Sequence, residues 1–212
     1  MNIGIIGAGN IGGTLGTLWA HNGHEIMLSS RRPERLGVLA RRIGPHACAG
    51  TAQEAAKFGE VVFLAVPLGA IEELAPIIGL HLAGKVVLDA MNPFIRRDNG
   101  VAEEISRRGI SEGQATQERF PDAKIVRAFS SVHYASLQSE AGRSAPFTLA
   151  IPFASDDPGA KATAAHLIRD AGFEPFDVGS LADSAVQDPG GILFGRALTG
   201  TGLSELFHGH SV

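Results

Sequence analysis

Near the N-terminus, Gly7, Ala8, Gly9, Asn10, Ile11 and Gly12 make a glycine-x-glycine-x-x-glycine run. The chemistry such a run supports is the cradling of a pyrophosphate. The first glycine allows a tight turn, the second lets the backbone approach phosphate oxygens, and the third lets a following helix pack closely on a sheet. The unpaired N–H groups and the positive dipole end of that helix complete an anion site. The other reading is a tight strand–helix turn that holds no ligand.

A second cluster follows at Ser29, Ser30, Arg31 and Arg32, with Arg35 close behind. In a dinucleotide-binding unit, an acid about 20 residues past the glycine run takes the adenosine ribose 2′-hydroxyl. No acid stands in that place here. Guanidinium groups pair with phosphate through charge-assisted, often bidentate hydrogen bonds, and a serine hydroxyl adds another. Ser30, Arg31, Arg32 and Arg35 therefore favour a 2′-phosphate, and NADP(H) over NAD(H). The alternative is a solvated basic turn.

These residues need particular elements to position them. The pattern predicts strands over 2–6, 25–28, 46–49, 61–66, 86–88, 124–128, 147–151 and 174–178. Helices are predicted over 10–21, 33–42, from the Thr51 cap to Phe58, 68–78 and 158–171. Thr51 with Glu54 makes a capping box, and Asp157 before Pro158 caps a later helix. The runs Val61–Val66 and Val86–Leu88 lack polar alternation, as expected of parallel strands covered on both faces. The stretch 92–117 reads as loop with helical pieces, and the glycine-rich tail from Gly179 to Val212 likewise. This alternation predicts an α/β fold with a doubly wound, Rossmann-type, mostly parallel sheet and a short C-terminal helical and loop extension. Residues 1–145 would form the NADP-binding part. Residues 146–212 would continue the sheet and close an acceptor pocket. Ligands of such sheets sit at the strands' carboxyl ends, here after Ile6, Leu28, Val66, Asp89, Ala128 and Val178.

The 212 residues carry a formal charge of −4 and are 44% hydrophobic, ordinary for a globular chain and without a basic surface for nucleic acid. Cys48 is the single cysteine, which excludes an intrachain disulfide or a multi-cysteine zinc site. The apolar start reads as a first strand, no run is long enough to span a bilayer, and a cytoplasmic location fits.

Acid–base machinery is scarce. Tyr134 is the only tyrosine, no Tyr-x-x-x-Lys exists, and Lys124 and Lys161 have no evident partner. Dehydrogenases of hydroxyacids and pyrroline carboxylate reductases follow their dinucleotide fold with a large helical domain, and little chain remains here for one. An acceptor that takes hydride directly, such as a flavin-like ring, needs mainly positioning. No side chain is expected to act as catalytic acid or base.

The chain resembles the NADPH-dependent oxidoreductases of the deazaflavin coenzyme F-420. It is also similar to the cytoplasmic domain of the six-transmembrane ferric reductases. The markers are GAGNIG at Gly7, the HEI strand leading to SSRR at Ser29, and Val66-Pro67. VVLDAMNP at Val86, IVRAFSS at Ile125 and FDVGSL at Phe176 complete them. The resemblance implies that Gly9, Asn10 and Ile11 contact the pyrophosphate and that Ser30, Arg31 and Arg35 hold the 2′-phosphate. It puts Val66 and Pro67 along the nicotinamide half, with the nicotinamide near Ala128. Gly179, Ser180 and Leu181 would lie near the acceptor, and two chains would form a homodimer. Archaeal deazaflavin enzymes carry a His-Thr-Ile-Pro-like sequence where this chain has Ser130-Ser131-Val132-His133-Tyr134. The membrane family's Phe-Asn-x-x-Ser-Ala-like segment is closer, with Ser130 in place of the Asn.

Weaker signals keep two readings each. His133 and Tyr134 either face an acceptor or pack at a strand end. Asn92-Pro93 either bends a loop into the cofactor cleft or ends a strand. Arg96-Arg97-Asp98 meets a charged acceptor tail or is a solvated loop. His208 and His210 lack a third ligand for a metal, and none is expected. The function expected is hydride transfer between NADP(H) and a small-molecule acceptor, coenzyme F-420 or FMN, with no nucleic acid or membrane partner. A reductase of a small carbonyl or imine, with Ser131 or His133 as proton donor, and a non-catalytic NADPH-sensing module are the alternatives.

Overall fold

The computed structural model describes residues 1–93 and 100–209, so Arg96-Arg97-Asp98 and His210 lie outside the described residues. One eight-stranded sheet has the order β3-β2-β1-β4-β5-β6-β7-β8. Its parallel part comprises β1 (Asn2–Ile6), β2 (Glu25–Ser29), β3 (Ala47–Gly50), β4 (Val61–Leu64), β5 (Val86–Asp89) and β6 (Lys124–Ala128). This is the doubly wound, Rossmann-type arrangement, and its order reverses between β1 and β4, where a crevice opens.

β7 (Ala150–Ala154) breaks the pattern. It runs antiparallel to β6 and pairs with it only at Phe153 and Ala154, while β8 (Glu174–Gly179) runs parallel to β7. The strand begins three residues later than predicted. Phe147 lies 68% exposed in a turn closed by its N–H donating to the Ser144 carbonyl at 3.0 Å. Pro152, which has no N–H to give, sits where β7 does not pair with β6. Because β7 and β8 are reversed, β8 runs back toward the amino-terminal side of β1 to β6, and its last residue, Gly179, pairs with Ala154 at the level of Arg127. The rule that strand ends face the ligand therefore does not extend to Val178.

Helices cover both faces. α1 (Asn10–His21), α2 (Gly37–Ile43), α3 (Ala52–Phe58) and α4 (Ile71–Leu82) connect the first five strands. The predicted helix over 33–42 is a 3-10 turn, Pro33–Leu36, followed by α2, and a 3-10 turn at Leu68–Ala70 leads into α4. α5 (Val101–Arg108), α6 (Glu112–Arg119), α7 (Tyr134–Glu140), α8 (Pro158–Asp170) and α9 (Gly200–Gly209) follow. The Thr51–Glu54 capping box forms, and the Asp157 carboxylate accepts from the Ala160 N–H at 2.7 Å. A capping box at Ser111 and Gln114, not foreseen, starts α6.

Trp19 of α1 knits the halves together. It meets Phe63 and Phe129 edge-on at 5.3 and 6.0 Å, and its indole N–H donates to the Leu167 carbonyl of α8 at 2.8 Å. Around it lies a core continuous from Ile3 to Phe173. Among the described residues, no helix is long and apolar enough to cross a membrane.

Candidate functional site: a dinucleotide cleft and the ion cluster behind it

The glycine run joins β1 to α1 as the motif requires. Gly7 has φ +103°, and a Cβ there would sit 2.6 Å from the Ala65 carbonyl oxygen. At Gly12 a Cβ would meet the Gly7 carbonyl oxygen at 2.0 Å, so only glycine lets α1 pack this close. Gly9 is different: a Cβ built there meets nothing within 4 Å. The fold itself gives no steric reason for glycine at 9, which fits a position that a ligand must approach. The first turn of α1 has no acidic residue and, among the described residues, no side-chain cap, so its N–H groups are available to an anion. A pyrophosphate fits this cradle in shape and charge.

Gly7 and Ala8 donate to the Ser29 carbonyl at 3.2 and 3.0 Å, which fixes the end of β2 beside the glycine loop. The buried Ser29 hydroxyl donates to the Ile5 carbonyl at 2.9 Å, and the Ser30 hydroxyl accepts from the Arg32 N–H at 3.1 Å. Arg31, Arg32 and Arg35 are exposed, and none of them forms an ion pair with another described residue. Among the described residues, three guanidinium groups thus stand exposed and without an ion pair at the end of β2.

A cleft of about 550 Å³ opens over the carboxyl ends of β1, β4, β5 and β6. Asn10, Ile11, Val66, Pro67, Asn92, Ser131, His133 and Tyr134 line it, all singled out from the sequence. Ser130 and Val132, from the segment compared with the two families, also line it, as do Ala65, Ala90, Phe194 and Gly195, which were not singled out as site residues. The described lining contains no lysine, arginine, aspartate or glutamate. His133 caps α7 through Nδ1, which accepts from the Ala135 N–H at 3.3 Å, and its ring lies 4.5 Å from that of Tyr134. Phe129, at φ +63°, turns the chain out of β6 toward the cleft. Its ring is locked among Trp19, Phe63 and Phe173, which offsets the strain of a left-handed non-glycine residue. Ala128 itself is fully buried. The Ser130 and Ser131 hydroxyls are buried without a hydrogen-bond partner among the described residues.

Gly179, Ser180 and Leu181 do not line this cleft. The Ser180 N–H and hydroxyl both donate to the Asp183 carboxylate, at 2.7 and 2.6 Å. The Leu181 carbonyl accepts from the Ser111 hydroxyl at 2.6 Å, which anchors the start of α6.

Directly behind the cleft is a cluster that reading the sequence passed over. Arg127 of β6 is fully buried. Its Nε donates to Asp188 at 3.0 Å, its Nη1 to the Met91 carbonyl, and its Nη2 to Asn92 Oδ1 at 2.9 Å and to Glu112. Asp89, also fully buried, lies 3.3 Å from Nη1 and accepts from the Met91 N–H and the Thr116 hydroxyl, each at 2.8 Å. Burial pushes the Asp89 carboxyl above its ordinary range against the pull of Arg127. Burial, seconded by Asp188 and Asp89 and opposed by Arg127, pushes Glu112 up to about 8. Burial works against the Arg127 charge, but Asp89, Asp188 and Glu112 outweigh it and raise its affinity for the proton. One signal was available: a charged residue inside the apolar run Ile125-Val126-Arg127-Ala128-Phe129 must find buried partners. Nothing local announced that Glu112 and Asp188 would be those partners.

Comparison with known proteins agrees with this geometry. The chain is 29% identical over 185 residues to the metalloreductase STEAP3 of Rattus norvegicus, covering 86% of this chain and 34% of that protein. It thus spans about a third of the length of that curated relative. The structure of a hypothetical protein, SMa0349 of Sinorhizobium meliloti, superposes with a TM-score of 0.77 at 27% identity, covering 94% of this chain and 95% of that one. A candidate F420-dependent NADP-reductase of Arthrobacter sp. FB24 shares the fold at a TM-score of 0.71, with 24% identity and 87% of each chain covered. Residues 2–93, the stretch that builds the phosphate loop, the arginine turn and the Val66–Pro67 wall, match the family of NADP oxidoreductases described as coenzyme F420-dependent.

Proposed function

We propose that the protein is an NADP(H)-dependent oxidoreductase that passes hydride between the nicotinamide and a planar ring acceptor, a deazaflavin or a flavin. The observation that carries this reading is the cleft itself. It runs from the start of α1 past Val66 and Pro67 to an aromatic wall of His133, Tyr134 and Phe194. Its volume of about 550 Å³ accommodates a nicotinamide with a second ring stacked against it. When bound, the dinucleotide supplies the hydride, and the proton that completes reduction of the acceptor comes from water.

The residues of the chain bind and orient. The N–H groups at Gly9, Asn10 and Ile11 hold the pyrophosphate. Ser30, Arg31, Arg32 and Arg35 hold the 2′-phosphate by charge-assisted bonds. Val66 and Pro67 support one face of the nicotinamide and leave the other to the acceptor. Tyr134 and Phe194 stack on the acceptor and keep water from the transfer path. Among the described residues the lining has no carboxylate or lysine, which supports a reaction governed by positioning rather than by a dedicated acid or base.

The test is anaerobic NADPH oxidation by the purified protein, with coenzyme F-420 and FMN offered separately. Turnover with the deazaflavin alone is the expected result, and turnover with FMN alone makes the protein a flavin reductase. NADPH binding with neither acceptor reduced would sink the ring-acceptor reading and favour a sensor or a small carbonyl or imine substrate.

A further inference from the structure

Asn92 ties together three loops that wall the cleft. Its backbone carbonyl accepts from the Leu68 N–H at 3.1 Å, holding the segment just after Val66 and Pro67. Its side-chain Nδ2 donates to the Ser130 carbonyl at 2.8 Å, holding the segment after β6. Among the described residues its Oδ1 has one donor, Nη2 of Arg127, at 2.9 Å. The same guanidinium holds the Met91 carbonyl. Resting on the NADP(H) reading above, we infer that Arg127 is a positioning residue: it sets the nicotinamide end of the cleft through Asn92, and Glu112 competes with Asn92 for the same nitrogen.

The competition follows from the contacts. Nη2 is shared among Asn92 Oδ1, Glu112 Oε2 and Asp188 Oδ1. A neutral Glu112 is a modest acceptor and leaves Arg127 to hold Asn92. An ionised Glu112 draws the guanidinium toward α6, because two opposite charges attract more strongly than a cation and a neutral carboxyl, all the more in a buried site. The Asn92 contact then lengthens, and the Leu68 and Ser130 segments lose their common tie. Among the described residues, the charged and titratable groups facing Glu112 are Arg127 from β6, Asp89 from β5 and Asp188 from the segment before Gly190. Thr116 of α6 bonds Asp89 and carries no charge. Glu112 holds its proton up to about 8, so the change falls between pH 7 and 9. Neither Arg127 nor Glu112 lines the cleft.

The test compares two probes that share the adenosine half. NADPH and 2′,5′-ADP are titrated against the intact protein between pH 7 and 9, following nicotinamide fluorescence for the first and calorimetry for the second. The expected result is an NADPH Kd that rises about five- to tenfold through pH 8, the worth of one hydrogen bond, while the 2′,5′-ADP Kd stays flat. Glu112→Gln, which keeps a carbonyl acceptor but cannot ionise, should match the wild type at pH 7 and remove the bend. A flat NADPH curve in the wild type, an equal bend for both probes, or a bend that survives in Glu112→Gln would overturn the inference. The contrast between probes needs no variant, so it holds even if Glu112→Gln fails to fold. Failure of both probes to bind at pH 7 would instead overturn the NADP(H) reading and the inference with it, whereas binding without a bend overturns the inference alone.

Discussion

At the scale of single residues, the guanidinium groups of the β2 turn and the carboxyl of Glu112 make opposite use of charge. Arg31 is exposed and has no ion pair among the described residues, so its charge is available to a ligand. Arg31→Ala should weaken NADPH binding by about 1.5–3 kcal/mol, the scale of a charged hydrogen bond, and leave NADH nearly unchanged. Equal losses for the two in a fluorescence titration would show that the turn does not read the 2′-phosphate. Glu112 is buried and protonated well above its ordinary value of 4.5. The unfolded chain ionises Glu112 near that ordinary value, and the folded chain does so only near 8. The folded state therefore binds the extra proton throughout this window, and stability falls as pH rises from about 5 to about 8, by up to about 1.4 kcal/mol per unit. Above pH 8 this loss levels off. Urea midpoints across the range should fall in the wild type and flatten in Glu112→Gln, and parallel slopes would refute the assignment to this residue.

At the scale of elements, the turn from β1 into α1 separates what the fold needs from what a ligand needs. A Cβ at 12 collides with the Gly7 carbonyl, while a Cβ at 9 enters open space. Gly12→Ala should destabilise the protein by at least about 1–3 kcal/mol, the scale of overpacking. Gly9→Ala should leave the unfolding midpoint nearly unchanged and still weaken NADPH binding, because the methyl occupies the phosphate approach. A large drop in stability for Gly9→Ala would mean that the fold requires that glycine. The reversal of β7 acts at the same scale. It brings Gly179 level with Arg127 and leads the chain on to Leu181, which anchors the capping serine of α6 and so helps place Glu112.

At the scale of the molecule, one core runs from β1 through Trp19 to α8. Trp19→Ala removes a fully buried indole and its bond to the Leu167 carbonyl, and should cost about 3–5 kcal/mol. Because Trp19 bridges the parallel strands and the C-terminal part, wild-type unfolding by urea should be a single transition seen alike by fluorescence and far-ultraviolet dichroism. Two separated transitions would show that the parts unfold independently.

The sequence by itself determined what is local or periodic. Apolar runs without alternation marked buried parallel strands. The spacing of Gly7, Gly9 and Gly12 marked a strand–helix phosphate turn, and the absence of an acid beside Arg31 and Arg32 marked a preference for NADP(H). Thr51 and Asp157 announced their helix starts because a cap is a contact within one turn. Tertiary structure alone decided what depends on partners far apart in the chain. The sense of β7 is set by how the segment after α7 returns to β6, and no short-range pattern encodes that. Arg127 meets Asp89, Glu112 and Asp188 only because β5, β6, α6 and the segment before Gly190 converge behind Asn92. Phe194 reaches the cleft for the same kind of reason: the Gly195 N–H donates to the Ser131 carbonyl at 2.8 Å and draws the C-terminal segment to the wall of the cleft.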